Sequence, residues 1–161
     1  MSSDPIRIEQ RSRAQCGTFW PLHWDYLVQD MFDETDTEAD RAYFCSEEYR
    51  GAVECAMARP ANRVHQVFFH RGSQHIGCAQ YVIYQDEGGK CLIMDFWLFP
   101  SYRRQGAGHD CYWALEQAAR DEGAAWFAIN YHSDGAHRFW RSLGFADDGT
   151  DEYGDPLMRK G

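Results

Sequence analysis

The sequence has no Cys-x-x-Cys pair, no His-x-x-x-His step and no apolar run of membrane-spanning length. The first absence matters because the six cysteines (Cys16, Cys45, Cys55, Cys78, Cys91, Cys111) are scattered. They read as reduced, mostly buried thiols rather than a disulfide frame. The second leaves no metal centre, since His65, His70 and His75 are spaced for strands and a turn instead of a helix face. The third excludes a membrane span, and the start, Met1-Ser-Ser-Asp-Pro-Ile-Arg, lacks the basic-then-apolar layout of a signal peptide. The expectation is a soluble, cytoplasmic protein. Basic charge is also scarce, with 16 Lys and Arg against 25 Asp and Glu and a net charge of −9. Nucleic acid is thereby excluded as a partner, because phosphate binding needs clustered cations. The surplus suits a cationic partner and equally suits plain solubility.

What is present points to a packed globule. A chain of 161 residues, 44% hydrophobic and 16% aromatic, is enough for one domain over residues 1–161 with a full core. Residues 6–10 alternate as a first strand, and residues 20–32 carry apolar side chains at helical spacing. An acidic connector follows. A second helical region covers residues 41–57, with Ser46 as the point where it would break, and stops at Arg59-Pro60. Residues 63–70, 75–84 and 92–98 are three strands joined by Gly-bearing turns, an antiparallel meander. Residues 109–122 form a third helix with Cys111, Tyr112, Leu115, Ala118 and Ala119 on one face. A fifth strand at 125–131, a short helix at 136–143 and a hairpin of 145–147 with 157–159 complete the chain. The order β-α-α-β-β-β-α-β-α-β-β is an α/β arrangement, a mixed, mostly antiparallel sheet flanked by helices. Only the crossover through the third helix needs a parallel pair. There is no internal repeat and no linker.

The most informative segment joins the third meander strand to that helix. Asp95-Phe96-Trp97-Leu98-Phe99-Pro100 closes the strand, and Arg103-Arg104-Gln105 leads into Gly106-Ala107-Gly108-His109. Small residues and free backbone N–H groups at a helix mouth receive anions well. The arginines would add charge-assisted hydrogen bonds. The segment predicts a phosphate-bearing ligand at this helix N-terminus. It is not a dinucleotide fingerprint, because the third glycine is missing and the loop follows a meander. Nor is it a Walker loop, which needs Gly-Lys-Ser/Thr.

These motifs, in this order, resemble the GNAT superfamily of acetyl-CoA-dependent N-acetyltransferases. Arg103, Gly106 and Gly108 match the family's Arg/Gln-x-x-Gly-x-Gly/Ala loop. Ser133, Ala136, Phe139-Trp140 and Gly144-Phe145 stand where the family has Asn, Ala, Phe/Leu-Tyr and Gly-Phe. The likeness covers nearly the whole chain and is strongest over residues 92–145. Met94-Asp95-Phe96-Trp97-Leu98 is also similar to Glu-Asp-Phe-Phe-Val of the spermidine/spermine branch, though Met94 replaces its first acid.

The resemblance implies acetyl-CoA as co-substrate, no metal, and an amine of a small cationic molecule or peptide as acceptor, with a homodimer by analogy. Backbone groups of Phe96, Trp97 and Leu98 would pair with pantetheine. Backbone N–H groups of Arg104, Gln105, Gly106, Ala107, Gly108 and His109 would wrap the pyrophosphate, with Arg103 counted among the cofactor-binding residues of the matching loop. Ser133 would touch pantetheine less than the family's asparagine does, and Trp140 would lie by the thioester sulfur. An indole cannot release a proton near neutral pH as a tyrosine can. Tyr131, His132 and His137 are the nearby stand-ins, each weighed against a plain surface role.

Acetylation has its own requirement. An alkylammonium near pKa 10.4 holds a free lone pair in only about one molecule in 2,500 at pH 7. A carboxylate is the expected proton acceptor. Asp95 is the first candidate, balanced against a structural ion pair, and Glu152 the second. The amide of Leu98 would polarise the thioester carbonyl. Direct transfer in a ternary complex is expected, with Cys111 as core. Trp20, Trp24, Tyr26, Phe32, Tyr43 and Phe44 are expected to form the acceptor wall or ordinary core. The rival from another class is a catalytically silent acyl-CoA-binding or sensing module, favoured by Trp140 and Ser133.

Overall fold

A computed structural model describes residues 4–161. The elements are β1 (Ile6–Arg11), α1 (Cys16–Tyr26), α2 (Glu38–Phe44), α3 (Glu47–Met57), β2 (Val64–Arg71), β3 (Gln74–Tyr84) and β4 (Lys90–Leu98). They continue as α4 (Ala107–Asp121), β5 (Trp126–Asn130), α5 (Asp134–Ser142), β6 (Ala146–Thr150) and β7 (Pro156–Lys160). The expected mixed α/β sheet is found: seven strands in the order β1-β2-β3-β4-β5-β7-β6. Only β4 and β5 are parallel, joined through α4 as expected.

The boundaries differ where local chemistry outweighed pattern. The first helix, expected over residues 20–32, starts at Cys16 and runs through Pro21, with Cys16, Phe19, Trp20 and His23 as its buried residues. Its last turn, Leu27–Met31, widens into a π-helical turn. The second helical region is indeed two helices. The Ser46 hydroxyl accepts from the Tyr49 N–H and starts α3 afresh. Both hairpin strands are longer than expected, and β7 inserts between β5 and β6.

Two apolar layers hold the sheet. On one face Cys111, Tyr112, Leu115 and Ala119 of α4 pack with Phe127, Ile93 and Trp140. On the other, Phe19 and Trp20 of α1 and Val53 of α3 pack with Phe68, Val82 and Trp97. Cys16, Cys78, Cys91 and Cys111 are buried within these layers, while Cys45 and Cys55 are exposed, and all six thiols are free.

One irregularity shapes everything that follows. Tyr81 pairs with Ile93 but Gln80 pairs with Asp95, so Met94 is an extra residue in β4. Such a bulge breaks the alternation of side chains and bends the strand. Met94 and Asp95 therefore both address the α1–α3 face, and Phe96 returns to the α4 layer. Beyond the bulge β4 parts from β5, whose pairing runs only from Lys90 to Ile93.

Two histidines make stability depend on pH. Burial lowers the pKa of His65, partly offset by Glu122, and burial likewise lowers that of His75, each from an ordinary 6.5. The folded state keeps both rings neutral at a pH where the unfolded chain already protonates them. Stability rises with pH wherever the unfolded state binds more protons. The contribution is thus complete above about pH 6.5 and is lost as pH falls through the lowered folded values. Thermal melts should show a lower Tm at pH 5.5 than at pH 7.5, an interval in which ordinary carboxylates stay mostly ionised. A flat Tm over that interval would contradict it.

Candidate active site

The parting of β4 and β5 opens a cavity of about 880 Å³. It is lined by β4 from Leu92 to Phe96, by Tyr26 and Phe32 at the end of α1, and by Tyr131, His132 and Ser133 after β5. Carboxylates dominate its polar lining: Asp30, Asp33, Glu87, Asp95, Asp151, Glu152 and Asp155, against Lys90 as the lysine or arginine among the described lining residues. Asp151 organises the β6–β7 turn by accepting from the backbone N–H groups of Tyr153 and Asp155 and from Asn130. The Asp155 amide, first among these donors, holds its carboxyl below the usual range.

The open edge of β4 presents main-chain groups. The Phe99 N–H donates to the Ile76 carbonyl at 2.9 Å, which makes that pair a hydrogen-bonded one. Alternation along an antiparallel ladder then turns the N–H and C=O of Leu98 and Phe96 away from β3, into the gap. Trp97 faces Cys78 of β3 by the same alternation, so its amide is committed to the sheet, while its indole stacks on Tyr26 at 4.5 Å. The Leu98 carbonyl is taken by Arg103 Nε at 2.9 Å. Its N–H is left facing the gap, where an oxyanion would need a donor.

Several side chains of the loop before α4 are engaged within the protein. Arg103 grips both oxygens of Asp30, at 3.2 and 2.6 Å, and so fastens the loop to the end of α1. Arg104 is exposed with φ 62°, and Gly106 follows at φ 79° as the N-cap of α4. A Cβ on Gly106 would meet nothing within 4 Å, so open space lies over this turn. Gly108 has another reason to be glycine: a Cβ there would come 3.0 Å from the Phe139 ring, so its smallness brings α4 against α5. The Gln105 side chain turns back to the Ser101 carbonyl, and the His109 ring meets the Ser142 hydroxyl at 2.8 Å. The N–H groups of Ala107, Gly108 and His109, in the first helical turn, have no acceptor within the helix. A glycine turn with open space above it and free amides beneath it fits a diphosphate.

Trp140 is buried at the base of the gap, against Phe96, Tyr112 and Phe145. The Ser133 hydroxyl caps α5 by accepting from Ala136 N–H. Tyr131 and His132 line the cavity, whereas His137 lies outside it and pairs with Asp147 at 2.7 Å. Of the aromatic wall, Tyr26, Phe32 and Phe44 line the cavity, Trp20 is core, and Tyr43 is largely exposed.

Asp95 is tied into the protein interior through a chain of buried side chains. Its Oδ2 accepts from Gln80 Nε2 at 2.7 Å, and Gln80 Oε1 accepts from Gln66 Nε2 at 2.9 Å. The Cys16 thiol lies 3.4 Å from Gln66 Oε1. His23 Nε2 is 3.3 Å from the same Asp95 oxygen, at ion-pair distance but off the axis of a hydrogen bond, and neither ring nitrogen has a partner. Leaving a buried polar group unpaired costs about 1–3 kcal/mol. His23, Gln66 and Gln80 escaped the sequence reading, although polar residues amid Val64–Phe69 and Cys78–Ile83 were its available signal. Among the described residues no group of three or more His, Cys, Asp or Glu side chains is placed to hold a metal. No helix among them is long and apolar enough to cross a membrane.

Residues 18–145 match the acetyltransferase (GNAT) family. The chain belongs to that family, and it is an acyltransferase. Among solved structures it is similar to the PaiA N-acetyltransferase of Thermoplasma acidophilum in complex with coenzyme A. That pair shares 18% identity with a TM-score of 0.69, over 96% of this chain and 98% of the other. It is similar too to an acetyl transferase of Salmonella typhimurium that modifies the N-terminal serine of a 50S ribosomal subunit protein (15% identity, TM-score 0.65, 99% and 95% covered). A third is AAC(6')-Ib in complex with ribostamycin and coenzyme A (19% identity, TM-score 0.66, 98% and 93% covered). At these identities the likeness is one of fold. The chain has no match among curated proteins.

Proposed function

We propose that the protein transfers an acetyl group from acetyl-CoA to a primary amine of a small molecule carrying more than one positive charge, directly within a ternary complex. The observation that carries this reading is Asp95 on the wall of a carboxylate-lined cavity that also opens onto the free edge of β4. A carboxylate there attracts an ammonium group and accepts its proton, and the remaining acids hold the other charges. Similarity of Asp95-Phe96-Trp97-Leu98 to the polyamine-acetylating branch supports the same class. The complexes of two relatives with coenzyme A support the donor.

In this reading the Phe96 and Leu98 main chain pairs with the pantetheine arm, and the Leu98 N–H stabilises the thioester oxyanion. The turn at Gly106 and the amides of Ala107, Gly108 and His109 receive the diphosphate, with the exposed Arg104 adding charge. Arg103 acts by fixing the loop to Asp30. Ser133 and Trp140 border the reacting end. The thiolate leaves without help from Trp140 and is protonated by water or by the amine's second proton.

A silent acyl-CoA sensor is the second reading, favoured by the indole of Trp140 and by a Ser133 hydroxyl spent as a helix cap. Thiol release from acetyl-CoA decides between them, measured with spermidine, ribostamycin, butylamine and a peptide with a free N-terminus. Turnover is expected, with kcat/KM at least about tenfold higher for the polycations than for butylamine, the difference about 1.4 kcal/mol makes. Tight coenzyme A binding without thiol release from any of the four would establish the sensor.

A further inference from the structure

We propose that Asp30, although it lines the acceptor cavity, takes no charge of the acceptor: it is a positioning residue that acts through Arg103 on the strand end carrying the oxyanion donor, the Leu98 N–H. The inference rests on the acetyl-transfer reading and gives one of the cavity acids a task in the chemical step.

Asp30 stands in the π-helical turn Leu27–Met31, which the Phe32 N–H closes on the Leu27 carbonyl at 2.7 Å. The turn brings Tyr26, Asp30, Met31 and Phe32 together on the cavity wall. Both Asp30 oxygens are taken by Arg103, Oδ1 from Nη1 at 3.2 Å and Oδ2 from Nη2 at 2.6 Å. Toward an incoming cation the pair is neutral, as a bare carboxylate would not be. A forked contact of this kind fixes the plane of a guanidinium as well as its place. With two nitrogens held, the third is aimed, and Nε donates to the Leu98 carbonyl at 2.9 Å.

That carbonyl needs a donor. Past the bulge β4 has left β5, whose pairing ends at Ile93, and backbone polar groups enclosed by protein are costly to leave unpaired. The peptide group joining Leu98 to Phe99 is therefore gripped from both sides. Its N–H donates to the Ile76 carbonyl of β3, and its C=O accepts from Arg103. One residue earlier the Trp97 indole lies flat on Tyr26, with ring centres 4.5 Å apart and planes 7° apart. The end of α1 is thus clasped to the end of β4 at consecutive residues, and the Leu98 N–H lies between the two fastenings. An oxyanion donor works when it is aimed beforehand at the place where charge develops. Without Asp30 the Arg103 side chain, 37% exposed, can turn to solvent, and the outer grip on this peptide group is released.

Asp30→Asn tests this, since asparagine fills the same space but offers the guanidinium one oxygen and no charge. With the fastest of the four amines above, kcat should fall about tenfold, short of the roughly 100-fold that an ångström of misplacement can cost. The acceptor KM should stay within about twofold. Arg103→Gln should lower kcat as much, and the double variant no further, because two residues that act through one contact do not add. A raised acceptor KM at wild-type kcat in Asp30→Asn would mean that this acid binds the acceptor, and would overturn the proposal. Wild-type kcat in Arg103→Gln would do the same, as would losses that multiply in the double variant. Absence of thiol release by the wild-type protein would instead remove the transfer reading, and this one with it.

Discussion

Asp95→Asn is expected to lower kcat for amine acetylation by about 10²- to 10⁴-fold at pH 7, the range for removal of a positioned general base, and to leave coenzyme A binding unchanged. The substitution is nearly isosteric. An amide oxygen can still accept from Gln80, so the buried relay from Cys16 and Gln66 keeps its terminus. What is lost is the ability to take a proton. The consequence is a pH signature. The variant must wait for amine already deprotonated in solution, and that fraction grows about tenfold per pH unit below the amine pKa near 10.4. Thiol release measured from pH 7 to 9.5 should therefore climb steeply in the variant and gently in the wild type. A kcat within threefold of wild type at pH 7, or two parallel profiles, would mean that another group, Glu152 first, accepts the proton.

The second large effect is structural and lies one strand away. Gly77→Ala should cost about 1–3 kcal/mol, the usual toll of forcing atoms into a filled space. For a chain of this size that is a fall in Tm of about 2–12 °C. A Cβ on Gly77 would collide with the Trp97 carbonyl oxygen and crowd Leu98 Cα at 3.1 Å. These are main-chain atoms of β4, and a neighbouring strand cannot rotate aside as a side chain can. β4 would have to shift at the two residues that precede the loop and carry the Leu98 N–H. Thermal melts followed by circular dichroism should show the loss. Coenzyme A titration should show weakened binding in the protein that remains folded. An unchanged Tm would mean that the two strands can separate freely here.

Much of this architecture was legible in the sequence because its signals are local. Alternation marked the meander, glycine marked the turns, and the Arg103–Gly108 loop marked the mouth of α4. Ser46 was legible as a break because a hydroxyl before Glu47 competes for helix N–H groups. The rest depends on contacts far apart in the chain. Nothing near Arg103 reveals that its guanidinium will close on Asp30, 73 residues earlier. Nothing around Gly108 shows that Phe139 will need its space. The bulge at Met94 is invisible because the extra residue exists only relative to the partner strand. His23 was hidden for a similar reason: its one charged neighbour arrives from β4, and an imidazole on an aromatic helix face reads as filler until Asp95 is placed beside it.

The bulge has one more implication. The gap it creates displays peptide groups, which every residue type carries alike, and the turn at Gly106 does the same. A lineage can therefore rewrite most of the letters along these segments while the geometry they describe persists. Two backbones can superpose at a TM-score of 0.69 with only 18% of residues in common, as such tolerance permits. Shape is the constraint along these segments, and spelling is loosely bound to it.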